Sequence, residues 1–168
     1  KITDGVLPFA VSAEGEQLPV IWGMDTAWPD EGNMKRGIAF IGKENLGTAR
    51  GSFQPSDLIV DGQLSRSQKS MLNRRLNLIK LSGVTKIALN CDHEVLCNGD
   101  NYPNYQQNAI NYKGKPEEWV KLFKATVEHC RASGFEVISI SPFNEPDYTA
   151  WNQGTVQDFY NIIKLMRQ

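Results

Sequence analysis

The segment Ser141-Pro142-Phe143-Asn144-Glu145-Pro146 sets a carboxyl group beside an amide and between two prolines, directly after an apolar run from Phe135 to Ser141 that reads as a strand. A carboxyl group held in a partly dry cleft beside a second carboxylate has its charged form disfavoured. It then stays protonated near neutral pH and donates to a leaving oxygen. Glu145 is either a carboxyl group in such a setting or a solvated loop carboxylate ahead of a helix-breaking proline. Other polar groups stand at the ends of other apolar runs: Asp25 after Val20 to Met24, Arg50 in Gly47-Thr48-Ala49-Arg50-Gly51, and His93 in Asn90-Cys91-Asp92-His93-Glu94. Arginine suits bidentate grip of a carboxylate, so Arg50 either orients an acidic group or is a surface arginine in a glycine-rich turn.

Cys91, Asp92, His93 and Cys97 are potential metal ligands. They lack the second Cys-x-x-Cys or His-x-x-x-His pair that zinc sites usually carry, so neither metal nor cofactor is expected. His93 is read instead as a hydrogen-bonding group for hydroxyls or a satisfied loop residue, and His129, inside a helical pattern beside Cys130, as structural. Trp28, Trp151, Tyr102, Tyr105, Tyr112 and Tyr148 lie between the periodic segments, where rings either stand exposed as flat stacking platforms or pack a loop onto its support. Trp22 and Trp119, on a strand and on a helix stripe, are expected in the core.

These residues need elements to position them. Val6 to Val11, a turn at Ser12 to Glu16 and the run from Leu18 predict a short hairpin within residues 1–19. Residues 20–168 then alternate strand and helix. The strand Val20 to Asp25 precedes a helix capped at Asn33, with Met34, Ile38 and Ile41 on one face and a stop at Gly47. Thr48 to Phe53 predicts a second strand, followed by a long loop and a helix from Ser67 to Ser82 that ends at Gly83. Val84 to Asn90 predicts a strand buried on both faces, and residues 91–115 a long Asn- and Tyr-rich loop. Pro116 opens a helix with Trp119, Phe123, Thr126, Val127 and Cys130 inward, ending at Gly134. Phe135 to Ser141 is the fourth strand. Thr155 and Asp158 form a capping box ahead of Phe159, Ile162, Ile163 and Met166.

Four strand–helix units imply an α/β fold with a parallel sheet and right-handed crossovers, either an open sheet or part of an eight-fold barrel. No Gly-x-Gly-x-x-Gly or Walker-type Gly-Lys-Ser/Thr is present, which favours the barrel over a nucleotide-binding open sheet. Active sites of such barrels lie at the carboxyl ends of the strands.

Asn144-Glu145-Pro146 after a fourth strand resembles the acid/base motif of the clan A glycoside hydrolases, the superfamily of cellulases, mannanases, xylanases and glucosylceramidases. The resemblance implies a (β/α)8 TIM barrel and a retaining glycosidase, with Glu145 as general acid/base and Asn144 on the sugar 2-hydroxyl. It further implies an arginine near Arg50 that steadies the nucleophile, and a nucleophilic glutamate on a seventh strand. Asp25, His93, Trp28, Trp151 and Tyr148 are candidate cleft residues, the ligand a poly- or oligosaccharide, and the location secreted or periplasmic. A non-catalytic carbohydrate-binding domain on the same scaffold is the alternative.

Length and composition set the limits of that expectation. A full barrel takes about 250 residues, whereas this sequence has 168 and supplies four units. The chain is therefore expected to be the amino-terminal half of a barrel, without turnover alone, and to meet either the rest of the barrel or another copy of itself. With 18 Lys plus Arg against 19 Asp plus Glu, 40% hydrophobic residues and a pI near 6.2, there is no basic surplus for nucleic acid. Apolar runs fall far short of the roughly 18 residues that span a bilayer, so no membrane partner is expected. Three cysteines are too few for a disulfide framework.

Overall fold

A computed structural model describes residues 22–26, 30–53, 59–60, 63–91, 116–143 and 155–168. The predicted hairpin in residues 1–19 and the loop after the third sheet strand, from residue 92, lie outside the described residues. The strands are β1 (Trp22–Asp25), β2 (Leu46–Phe53), β3 (Ile59–Val60), β4 (Gln63–Leu64), β5 (Lys86–Cys91) and β6 (Glu136–Ser141), and the helices α1 (Glu31–Ile41), α2 (Arg66–Lys80), α3 (Pro116–Ala132) and α4 (Val156–Met166). β1, β2, β5 and β6 form one parallel sheet in that spatial order, so the protein is α/β and its sheet strands lie side by side in chain order. β3 and β4 pair antiparallel, a small hairpin within what the sequence predicts as loop.

Strand alternation divides the sheet into two chemically different faces. Ala49, Gly51 and Phe53 of β2 are in register with Ile87, Leu89 and Cys91 of β5, and Ile87 and Leu89 with Val137 and Ile140 of β6. This set shares one apolar cluster with Met34 and Ile38 of α1, Leu72, Leu76 and Ile79 of α2, Trp119, Leu122 and Phe123 of α3, and Ile162 of α4. Phe53 meets Phe123 edge-on at 5.3 Å between centroids, and Phe123 meets Trp119 at 5.5 Å. Full burial of one such side chain contributes about 1.5–3 kcal/mol, so this face fixes where every helix sits.

Local signals start and stop the helices, not always at the expected residue. Asp30, rather than Asn33, caps α1: its Oδ1 accepts the Asn33 N–H at 2.7 Å. The helix stops at Gly42, whose φ of 86° suits only glycine and whose N–H donates to Ile38 O. Gly47, the expected stop, lies inside β2. Ser65 caps α2, and the expected capping box of α4 is present, with Thr155 and Asp158 exchanging bonds. Trp119 is fully buried as expected, but Trp22 is 59% exposed, because β1 is an edge strand and its register with β2 slips between Trp22 and Gly23. Ile41 and Ile163 are also exposed, at the margins of their helix stripes. No described helix is long and apolar enough to cross a membrane.

α2 and α3 are joined outside the apolar cluster by His129, whose Nε2 lies 2.7 Å from Asn73 Oδ1. Burial, with Lys69 nearby, lowers the imidazole pKa below its usual 6.5. The folded state thus favours the neutral ring. Its contribution is complete above the unfolded pKa and is lost as pH falls through the lowered folded value. His129→Gln should flatten the loss of unfolding free energy between about pH 7 and 5, as read by urea melts at several pH values; an unchanged slope would show that this imidazole is not linked to folding.

Cys130 is fully buried, and burial pushes its thiol up to about 12. Cys91 is buried as well. Iodoacetamide at neutral pH should therefore leave both unmodified in the folded protein and alkylate both in urea, measured by peptide mass spectrometry.

Candidate active site

The residues that alternate with the apolar set form the other face. Gly23 is in register with Thr48, and Asp25 with Arg50. Arg50 is in register with Ala88 and Ser52 with Asn90, and these continue across β6 to Ser139 and Ser141. Two rows thus cross the sheet toward the carboxyl ends of its strands: Asp25, Arg50, Ala88 and Ser139 in one, Ser52, Asn90 and Ser141 in the other. All but Arg50 are small or short polar side chains.

Arg50 stands within β2, inside the strand expected over Thr48 to Phe53, and not in a glycine-rich turn. Its Nη1 donates to Asp25 Oδ2 at 2.8 Å, with the two side chains 38% and 43% exposed. The strand ends are held by a half-buried knot beside this pair. Thr26 is fully buried, its Oγ1 donates to Arg50 O at 2.8 Å, and its own carbonyl accepts from Arg75 Nη1 of α2 at 2.6 Å. The knot ties the end of β1 to β2 and to the helix behind them, so the Asp25–Arg50 pair projects from a braced strand end. Sequence reading selected Asp25 and Arg50 separately; only the register shows them to be partners.

Asn90 is buried and lies on the polar face, its Nδ2 donating to Cys91 O at 3.3 Å. Cys91, read from sequence together with the polar groups at the strand end, is instead 3% exposed and part of the apolar cluster on the helix side. Alternation after Asn90 turns it away from the polar face. Among the described residues no three His, Cys, Asp or Glu side chains gather where they could hold a metal ion. Ser52, Ser139 and Ser141 were not singled out by sequence reading. The signal that finds them is two-residue spacing along a strand, Ser52 with Arg50 on β2 and Ser139 with Ser141 on β6, between apolar or glycine positions.

No protein-family model, curated protein or solved structure matches the chain.

The remaining sequence candidates, Asn144, Glu145, Tyr148, Trp151, Trp28 and His93, lie outside the described residues. In the sequence, Asn144 and Glu145 follow closely on Ser141, the last residue of β6 and a member of the polar row. Ser141 Oγ donates to Phe143 O at 2.9 Å, which turns the chain as it leaves the strand. Asp25 is poorly placed to act as a second carboxylate with a group at the end of β6. Two strands separate β1 from β6, and three inter-strand steps amount to about 14 Å, against about 5–9.5 Å between paired glycosidase carboxyls.

Because both partners of the ion pair are substantially exposed, solvent screens it, and its contribution to folding is small. A double-mutant cycle with Asp25→Ala and Arg50→Ala, followed by urea denaturation, should give a coupling below about 1 kcal/mol. A coupling of several kcal/mol would instead make the pair a structural element of the sheet.

Proposed function

We propose that the protein is a retaining glycoside hydrolase and that this chain provides the first four strand–helix units of a (β/α)8 barrel. Glu145 is the general acid/base, Asn144 binds the sugar 2-hydroxyl, and the nucleophile comes from a later strand beyond residue 168. The observation that carries the reading is the sheet itself. Its parallel strands run in chain order, its helices share one apolar face, and its other face bears polar side chains toward the carboxyl ends. An open doubly wound sheet would reverse its order at a switch point and carry helices on both faces. Asp25, Arg50, His93, Trp28, Trp151 and Tyr148 are assigned to the sugar cleft, and a polysaccharide substrate fits a secreted or periplasmic enzyme. Trp22 on β1 and Ile138, 49% exposed on β6, mark the two sheet edges at which the rest of the barrel, or another copy, would pair.

In the mechanism, Glu145 protonates the departing glycosidic oxygen while the nucleophile attacks the anomeric carbon. It then removes a proton from the water that releases the sugar. The test separates these duties in the polypeptide that also supplies the second carboxylate. Glu145→Ala should lower hydrolysis of a natural glycan by about 10²–10⁴-fold. An activated aryl glycoside needs little protonation and should still form the glycosyl-enzyme. Azide, which needs no base, should then restore turnover and yield a glycosyl azide of retained configuration. Wild-type activity on the natural glycan, or equal loss on every leaving group without azide rescue, would overturn the assignment.

A further inference from the structure

Among the described residues, the strand positions of the polar face carry charges only in opposed pairs. Arg50 is in register and in contact with Asp25, and Lys86, at the start of β5, is in register with Glu136 at the start of β6. The upper part of the face is left to hydroxyl and amide groups. Ser52, 2% exposed, is in register with Asn90, and Asn90 with Ser141. The Ser52 Oγ is buried without a hydrogen-bond partner among the described residues. Its strand neighbours Gly51 and Phe53 face Ile79 and Phe123 on the helix side, so alternation directs Ser52 to the polar face. A buried hydroxyl without a partner has lost its hydration with nothing to offset it and calls for a ligand or a functional explanation.

We infer that the row Ser52–Asn90–Ser141 is the floor of the glycan subsite and that it selects an uncharged, hydroxyl-rich sugar, with Ser52 Oγ reserved for one sugar hydroxyl. The inference rests on the glycosidase reading and names its substrate class. Hydroxyl and amide groups both donate and accept, and so match sugar hydroxyls, which do the same. A uronate or a sulfated sugar would need a cation with charge to spare, whereas among the described residues Arg50 of this face is bonded to Asp25 and Lys86 is in register with Glu136. The same burial that leaves Ser52 without water makes the hydrogen bond to a ligand hydroxyl discriminating, because a ligand lacking that hydroxyl leaves the serine orphaned.

The test is binding, measured by titration calorimetry on the protein and on Ser52→Ala, with cellohexaose, mannohexaose and xylohexaose as neutral probes and hexagalacturonate as the charged one. At least one neutral hexaose should bind more tightly than hexagalacturonate, and Ser52→Ala should weaken it about tenfold. The thermal midpoint of unliganded Ser52→Ala should be equal to or above that of the wild type, since the orphaned hydroxyl is gone. Ser133→Ala, at the far end of α3, should leave binding unchanged. Neutral-sugar binding indifferent to Ser52→Ala, preference for hexagalacturonate, or a lowered midpoint showing that Ser52 has a structural partner would each overturn the inference. If a neutral hexaose binds through Ser52 while Glu145→Ala leaves hydrolysis intact, the subsite stands and the acid/base assignment falls. If no hexaose binds, both fall.

Discussion

The burial of Phe53, Ile87 and Leu89 against α2 and α3 is the contact on which the other features depend. Because strand side chains alternate with a period of two, fixing these residues toward the helices fixes Ser52, Ala88 and Asn90 toward the opposite face. A slip of one residue in β2 would drive Arg50 and Ser52 into the apolar cluster and bring Phe53 out. Register is therefore held by the core, and the polar rows inherit their alignment from it. Thr26 and Arg75 add a local brace at the end of an edge strand.

The parts of this fold that can be read from sequence are those set by local chemistry. The box of Thr155 and Asp158, the Pro116 start of α3 and the glycine stops at Gly83 and Gly134 each depend on residues within a turn of one another. Errors arose where two local signals competed or where the deciding partner was distant. Asp30 and Asn33 are both good caps three residues apart, and only the bond from Asn33 N to Asp30 distinguishes them. The strand expected over Thr48 to Phe53 is present but begins earlier, at Leu46, so Gly47, a good helix stop by residue type, lies inside β2. The polar residues of that strand make up the site face. Trp22 has core chemistry, but its exposure follows from its place at the sheet edge, which strand order decides.

The candidate site divides similarly. Asp25 and Arg50 were legible as residue types and Ser52, Ser139 and Ser141 were not, because a serine carries no meaning until its register is known. The Asp25–Arg50 bond joins residues far apart in sequence, across a helix, and no spacing rule predicts it. Glu145, Asn144, Tyr148, Trp151, Trp28 and His93 rest on sequence and resemblance alone.

The ion pair bears on the proposed chemistry through its field. A carboxyl group that must hold a proton near neutral pH is opposed by any nearby unmatched cation, which favours its ionised form. Arg50 alone on the polar face of β2 would act against a general acid in the same cleft. With Asp25 bonded to its guanidinium, the charge becomes a short dipole whose effect falls off steeply, and the pair is further screened by its own exposure. The pair therefore neither raises nor strongly lowers the proton affinity of the proposed acid. The same near-neutrality is what would suit the proposed floor to sugar hydroxyls.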